Sequence, residues 1–291
     1  MGPKYFDIHT HVNFTVFDAD RADVIQRAKN AGVTMINVGT QRDTSQIAID
    51  IAEQYDHCFA CVGLHPIHTG QSFHDKKETG EGGQTFISRG EIFDYGHYLA
   101  LARHPKVLAI GETGLDYYHK ETRISEEEDV ENIRHQRETF LAHIRLADEV
   151  GKPLMIHARP SKGSMDAYDD VIDMLVSYKQ EHGTVPHPNF HFFVGDIPTA
   201  QKILDIGGTV SFDGPITFSH DYNELIRFLP LSSIMVETDA PYATPKPHRG
   251  KTNEPSFVVY IAQAIATIRQ EDEETVVRRL FENASRIFGP V

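Results

Sequence analysis

Short apolar runs alternate with amphipathic stretches of helical length along most of the chain. The runs predict eight strands: Tyr5–Ile8, Thr34–Val38, Phe59–Gly63, Val107–Gly111, Leu154–Ile156, Asn189–Phe193, Thr209–Phe212 and Ile234–Glu237. Most are apolar at consecutive positions, as parallel strands covered by helices should be. Between them, Phe140, Leu141, Ile144, Ala147 and Val150 recur at a spacing of about 3.6 until Gly151 and Pro153 stop the segment. Val258, Ile261, Ile265 and Ile268 form another stripe. The last helix sets Val277, Leu280, Phe281, Ala284, Ile287 and Phe288 on one side. This alternation predicts an α/β fold, a TIM-type (β/α)8 barrel with an extra C-terminal helix. An open doubly wound sheet is the weaker alternative, because no Gly-x-Gly-x-x-Gly follows the first strand.

Two stretches depart from the alternation. Thr69–Tyr95 holds Gly80, Gly82, Gly83 and Gly90 among polar residues and reads as a long loop insertion with at most a short element. The acidic run Glu126–Glu131 reads as a solvated lead-in to a helix. The 291 residues suit one barrel domain spanning 1–291. No apolar run reaches the roughly 18 residues needed to span a bilayer, and nothing before Tyr5 resembles a leader, so a cytoplasmic protein is expected. No membrane contact and no obligate protein partner are expected either.

Charge narrows the function classes. The chain carries 28 basic and 42 acidic residues, a formal charge of −14. That excludes a broad basic nucleic-acid groove but leaves room for a small, locally positive site. Cys58 and Cys61 lie in the apolar run Cys58-Phe59-Ala60-Cys61-Val62. Without two further zinc ligands at suitable spacing they read as reduced core cysteines.

Metal-competent residues fall where such a barrel carries its chemistry. His9 and His11 end the first strand, and residues two apart on a strand point the same way. Glu112 ends the fourth strand, His157 the fifth, and Asp239 the eighth, while His191 lies in the sixth. Taken singly, each is an ordinary surface, core or turn residue. Together they place six ligand types at the C-terminal ends of five strands, which share one rim in a parallel barrel. Four imidazoles and two carboxylates suit two divalent cations with one carboxylate bridging. Two doubly charged ions against Glu112 and Asp239 leave about +2, so an acidic protein gains a positive pocket for phosphate.

At these residues the chain resembles the TatD family of metal-dependent deoxyribonucleases, among the amidohydrolase-like barrels. The resemblance runs nearly end to end. It is carried by Asp7-Ile8-His9-Thr10-His11, Val62-Gly63-Leu64-His65-Pro66, the block from Ile110 to Tyr118, and Glu237-Thr238-Asp239-Ala240-Pro241-Tyr242. Arg249-Gly250-Lys251, Asn253-Glu254-Pro255 and the stretch Glu282–Gly289 complete it. It implies that His9, His11, Glu112 and Asp239 hold one ion and that Glu112, His157 and His191 hold a second. It also implies a phosphodiesterase acting on DNA at single strands or 3′ ends, a 3′-to-5′ exonuclease using magnesium or manganese. Zinc also suits the ligands. The chain departs from the family pattern at His191-Phe192-Phe193-Val194-Gly195, where His-Cys-Phe-Ser-Gly is usual, and at Pro160, where an acidic residue is usual.

The mechanism expected from this set is attack on phosphorus by a hydroxide, formed when two cations lower the pKa of a bound water towards about 7. Glu112 bridges, and Asp239 orients the water or takes its proton. His65 and Arg159, both at strand ends, are expected to contact phosphate. Asp116 is expected to orient a ligand, and His220 and His248 to sit near the rim. His68, His74, His97, His104, His119, His135, His143 and His182 are expected to face solvent. A deacylase acting on an ester or amide such as aminoacyl-tRNA, and a non-catalytic metal-stabilised binding barrel, are the alternatives.

Overall fold

The computed structural model describes residues 2–74, 86–118 and 126–289. Strands among them are β1 (Tyr5–Thr10), β2 (Val33–Val38), β3 (Cys58–Val62), β4 (Gln71–His74), β5 (Phe86–Arg89), β6 (Val107–Asp116), β7 (Leu154–Arg159), β8 (Pro188–Phe190), β9 (Thr209–Phe212) and β10 (Ile234–Val236). Helices are α1 (Arg21–Asn30), α2 (Arg42–Gln54), α3 (Tyr95–Ala102), α4 (Glu126–Val150), α5 (Asp166–His182), α6 (Ile197–Asp205), α7 (Asn223–Phe228), α8 (Val258–Arg269) and α9 (Glu273–Phe288).

Eight strands form one parallel sheet in the order β1-β2-β3-β6-β7-β8-β9-β10. Beyond β10 the chain leans on β1: Asp239 N–H donates to the His9 carbonyl at 2.9 Å and His11 N–H to the Ala240 carbonyl at 2.8 Å. The sheet is thus nearly closed into the expected barrel. The remaining strands, β4 and β5, pair antiparallel within the predicted insertion. Residues 75–85 of that insertion, His119 and the His74 side chain lie outside the described residues.

Strand alternation divides the core in two. Phe6, Ile8, Ile36, Val38, Cys61, Ala109, Met155 and Met235 pack inside the barrel, while Val33, Met35, Cys58, Ala60 and Val62 face the helices. The extra helix α9 closes the end where the strands begin. Asp272 caps it by accepting from Thr275 N–H at 2.9 Å, and its Phe281 and Phe288 rings lie 6.2 and 6.4 Å from Phe6. Burial of the Phe288 ring stabilises the fold by about 1.5–3 kcal/mol. With that end closed, the opposite rim is the open one.

Three expectations need correction. β6 runs to Asp116 instead of stopping at Gly111, so Glu112 sits within a strand and not at its end. A register shift against β7 between Ile110 and Thr113 carries pairing past the glycine-rich stretch. The acidic run Glu126–Glu131 is the start of α4 itself, where carboxylates suit the positive end of a helix dipole. Two histidines expected in solvent are buried. His143 accepts from Leu64 N–H at 3.0 Å and contacts the Thr139 carbonyl at 2.8 Å, and His68 is covered in the turn after β3. His182 is exposed as expected, whereas His97, His104 and His135 are half-buried.

Candidate metal centre

The rim brings all six predicted metal ligands together around Glu112, which is 4% exposed. One carboxylate oxygen, Oε2, faces the β1 pair: His9 Nε2 at 3.5 Å and His11 Nε2 at 3.8 Å. Asp239 Oδ1 completes this set, 3.6 Å from His9 Nε2 and 3.3 Å from His11 Nε2. The other oxygen, Oε1, faces His157 Nδ1 at 3.1 Å, His191 Nε2 at 2.8 Å and His65 Nε2 at 3.1 Å. Glu112 therefore stands between two donor sets, one on each oxygen.

The outward nitrogens decide what the inward ones can do. His11 Nδ1 lies 2.9 Å from the Val38 carbonyl, which only accepts, so this nitrogen carries the proton and Nε2 presents a lone pair. His157 Nε2 lies 3.0 Å from Asp116 Oδ2, which leaves Nδ1 as the lone pair towards Glu112. Asp116 is held in turn by Tyr118 N–H at 3.1 Å, the orienting role expected of it. His191 Nδ1 lies 3.4 Å from Glu237 Oε1. His65 is different: its Nδ1 accepts from Ile67 N–H at 3.2 Å, so its Nε2–H is the donor aimed at Glu112. The ring suits an anionic oxygen and not a cation.

Lone pairs thus converge on each oxygen of a buried carboxylate. His9 Nε2 and His11 Nε2 are only 3.1 Å apart. Tetrahedral ligands about 2.0–2.1 Å from zinc would stand about 3.4 Å from one another, close to the spacings of the first set. The residues present therefore fit a divalent cation, which removes the repulsion between facing lone pairs. Groups within the cluster that could hold a cation include His9–His11–Glu112 and His9–His191–Glu237.

Protonation tendencies agree with a site that favours cations. Burial, then the His191 charge, pushes the His9 pKa down to about 3, so that ring is neutral. Burial opposes charge on His11, His157 and His191, but nearby carboxylates outweigh it and raise all three. Burial also opposes ionised Glu112, yet the imidazoles around it hold its carboxyl well below the usual range.

Five supporting residues were not read from the sequence as site residues. Glu237, fully buried, accepts from Phe192 N–H and Ser211 Oγ–H, both at 2.6 Å, and so fixes the backbone beside His191. Phe192 takes φ 46° there, a left-handed conformation rare for a bulky residue. Asp213, 4% exposed, is pushed well up by burial and by Glu237 and Asp239. Phe14 stacks on His11 at 4.4 Å. Asp7 accepts from Thr238 Oγ1 at 2.6 Å and from Thr238 N–H at 2.9 Å, which ties β1 to the segment carrying Asp239. Asp239 itself has φ 50°, a region that aspartate tolerates better than most residues. Arg159 lies at the end of β7, half-buried, with its guanidinium 4.0 Å from the centre of the Tyr118 ring. His220 and His248 sit in loops on the same face, His248 stacked on Phe257 at 3.9 Å.

Comparison with known proteins places this arrangement. The chain is 34% identical over 286 residues to the uncharacterized metal-dependent hydrolase YabD of Bacillus subtilis, covering 97% of this chain and 98% of that protein. It is 30% identical over 295 residues to the 3'-5' ssDNA/RNA exonuclease TatD of Salmonella typhimurium, covering 98% and 99%. The crystal structure of YJJV, a TatD homolog from Escherichia coli, superposes with a TM-score of 0.76 over 99% of each chain at 23% identity, which supports the barrel fold. The model of the TatD related DNase family matches residues 6–289. The chain belongs to the TatD related DNase family of metal-dependent hydrolases.

Proposed function

We propose that the protein is a 3′-to-5′ exonuclease that hydrolyses phosphodiesters of single-stranded DNA with two divalent cations, magnesium, manganese or zinc. The observation that carries this reading is the division of ligands across Glu112. His9, His11 and Asp239 lie by one oxygen, and His157 and His191 by the other. His9, His11, Glu112 and Asp239 would hold one cation, and Glu112, His157 and His191 the second. Bound there, the cations supply Lewis acidity and lower the pKa of an attacking water.

The chain's own groups do the rest. Asp239 is 8% exposed, reaches the open rim, and accepts the proton of the attacking water at Oδ1 or Oδ2. His65 presents Nε2–H to a phosphate oxygen in place of Glu112 Oε1, and Arg159 offers a fixed guanidinium to the same group. The name of the Salmonella relative points to the same substrate class and polarity. Two buried, reduced cysteines suit action in the cytoplasm, and no described helix is long and apolar enough to cross a membrane.

The test is a 5′-labelled oligonucleotide incubated with magnesium, manganese or zinc, beside acyl esters and an aminoacyl-tRNA. Strands shortening from the 3′ end are expected, with no ester turnover. Glu112→Ala is expected to stay folded, to lose at least about a hundredfold in turnover, as removal of a group that stabilises developing charge does, and to bind fewer cations. Full activity in that variant would sink the bridging role, and ester cleavage without strand shortening would sink the substrate.

A further inference from the structure

We infer that the loop of residues 245–252 forms a second phosphate-binding element, in which Lys246 and Lys251 hold the single strand beyond the scissile bond. The inference rests on the nuclease reading above and extends it to the path of the substrate. Pro245-Lys246-Pro247-His248-Arg249-Gly250-Lys251-Thr252 carries three full positive charges and no acid, in a chain of net charge −14. Lys246, Arg249, Gly250, Lys251 and Thr252 are all exposed.

The segment that carries the loop begins and ends beside the candidate metal centre. It leaves from Asp239 and returns at Asn253, whose Nδ2–H donates to the Thr238 carbonyl at 2.8 Å and to the Tyr242 carbonyl at 2.6 Å. Lys251 is two residues from Asn253, so at about 3.5 Å per residue its backbone stays within roughly 7 Å of that anchor. At the other end the Lys246 N–H donates to Thr217 Oγ1 at 2.9 Å, on the turn that follows β9. Both anchors lie on the open rim.

Its frame is held by groups other than the two lysine side chains. Thr244 Oγ1–H donates to the Lys251 carbonyl at 2.7 Å, and Arg249 donates to the Thr244 carbonyl at 3.2 Å. The Arg249 guanidinium also covers the Phe218 ring at 4.1 Å, and His248 stacks on Phe257. Among the described residues neither lysine ammonium is engaged in an ion pair. Lys251 borders a cleft of about 280 Å³ that contains Asp20 and Glu254. Arg27 pairs with both acids, at 3.7 and 2.7 Å, and Lys251 pairs with neither. Two cations held out from a rigid loop beside a phosphodiesterase centre fit the phosphates of a strand lying across the rim, read without regard to base.

The test compares wild type, K246A/K251A and K246R/K251R on a single strand of about twelve nucleotides and on a dinucleotide, over a range of salt. The alanine pair is expected to raise KM for the long strand about tenfold at low salt and to leave dinucleotide turnover and Tm unchanged. The slope of log kcat/KM against log salt should flatten by about 1.4, at about 0.7 per phosphate released on a single strand. The arginine pair should restore both. An unchanged slope, or equal losses on long and short substrates, overturns the loop assignment alone. If wild type cleaves neither substrate, the nuclease reading and the loop assignment fall together.

Discussion

At the scale of single residues, the imidazoles sort by what their second nitrogen touches. Those tied outward to an acceptor, His11 and His157, turn a lone pair inward, whereas His65, tied to a backbone N–H, turns a proton inward. His143 shows the same logic away from the site. Burial pushes its pKa down to about 4 from 6.5, so the unfolded chain binds a proton that the native ring refuses. The sign follows: this stability is present in full above pH 6.5 and is lost as pH falls towards 4. Urea unfolding of wild type and H143Q should show their difference shrinking by on the order of 3 kcal/mol between pH 7 and pH 4. A pH-independent difference would refute the account. These tautomer assignments explain why the sequence pointed to the candidate ligands but not to their supports. His9 and His11 announce themselves by a spacing of two on a strand. A buried Glu237 or His143 looks like any polar residue until its neighbours are known.

At the scale of elements, β6 is the informative strand. The apolar run ends at Gly111, and Glu112, Thr113 and Gly114 have the composition of a loop, so the strand was legible only to that point. Pairing with β7 carries it on through Asp116, and this extension sets Glu112 in the middle of the ligands. The extension requires close approach at Gly114, whose φ is 139° and where an added Cβ would lie 2.0 Å from the His157 carbonyl oxygen. G114A is therefore expected to displace β7 and with it His157. Calorimetry should show fewer cations bound, together with a loss of several kcal/mol of stability, of the order seen for backbone strain plus overpacking. Unchanged stoichiometry and stability would rule out this contact. The barrel and α9 were legible because their periodicity is long and unbroken. The β4–β5 pair was not, because short polar strands inside a glycine-rich stretch carry no alternation.

At the scale of the molecule, cation binding at the proposed site would be coupled to the fold. The candidate ligands come from β1, β6, β7 and the segments after β8 and β10, so a cation that binds them stabilises the closed barrel by mass action. At about a hundred times Kd the gain is about 2.7 kcal/mol, a rise in Tm on the order of 5 °C. Protons compete for the same nitrogens. His11, His157 and His191 are all held above 6.5 by nearby carboxylates, so each must release its proton before it can ligate. Thermal shifts with manganese or zinc should therefore grow as pH rises above 6.5 and shrink below it. Chelator should abolish them, and a shift independent of pH would contradict the ligand set.

Cys58 and Cys61 lie three residues apart on β3, one against the helices and the other inside the barrel. Burial pushes the first thiol up to about 12 and the second well above its ordinary value, so neither offers thiolate to an alkylating reagent while the native state persists. The strand thus carries two built-in reporters on opposite sides of one wall. Pulsed iodoacetamide followed by peptide mass analysis should modify Cys58 when the helical shell loosens and Cys61 only when the stave itself separates from its neighbours. The interval between those events would time the opening of the cylinder without an added label. Simultaneous modification would mean that shell and cylinder open as one.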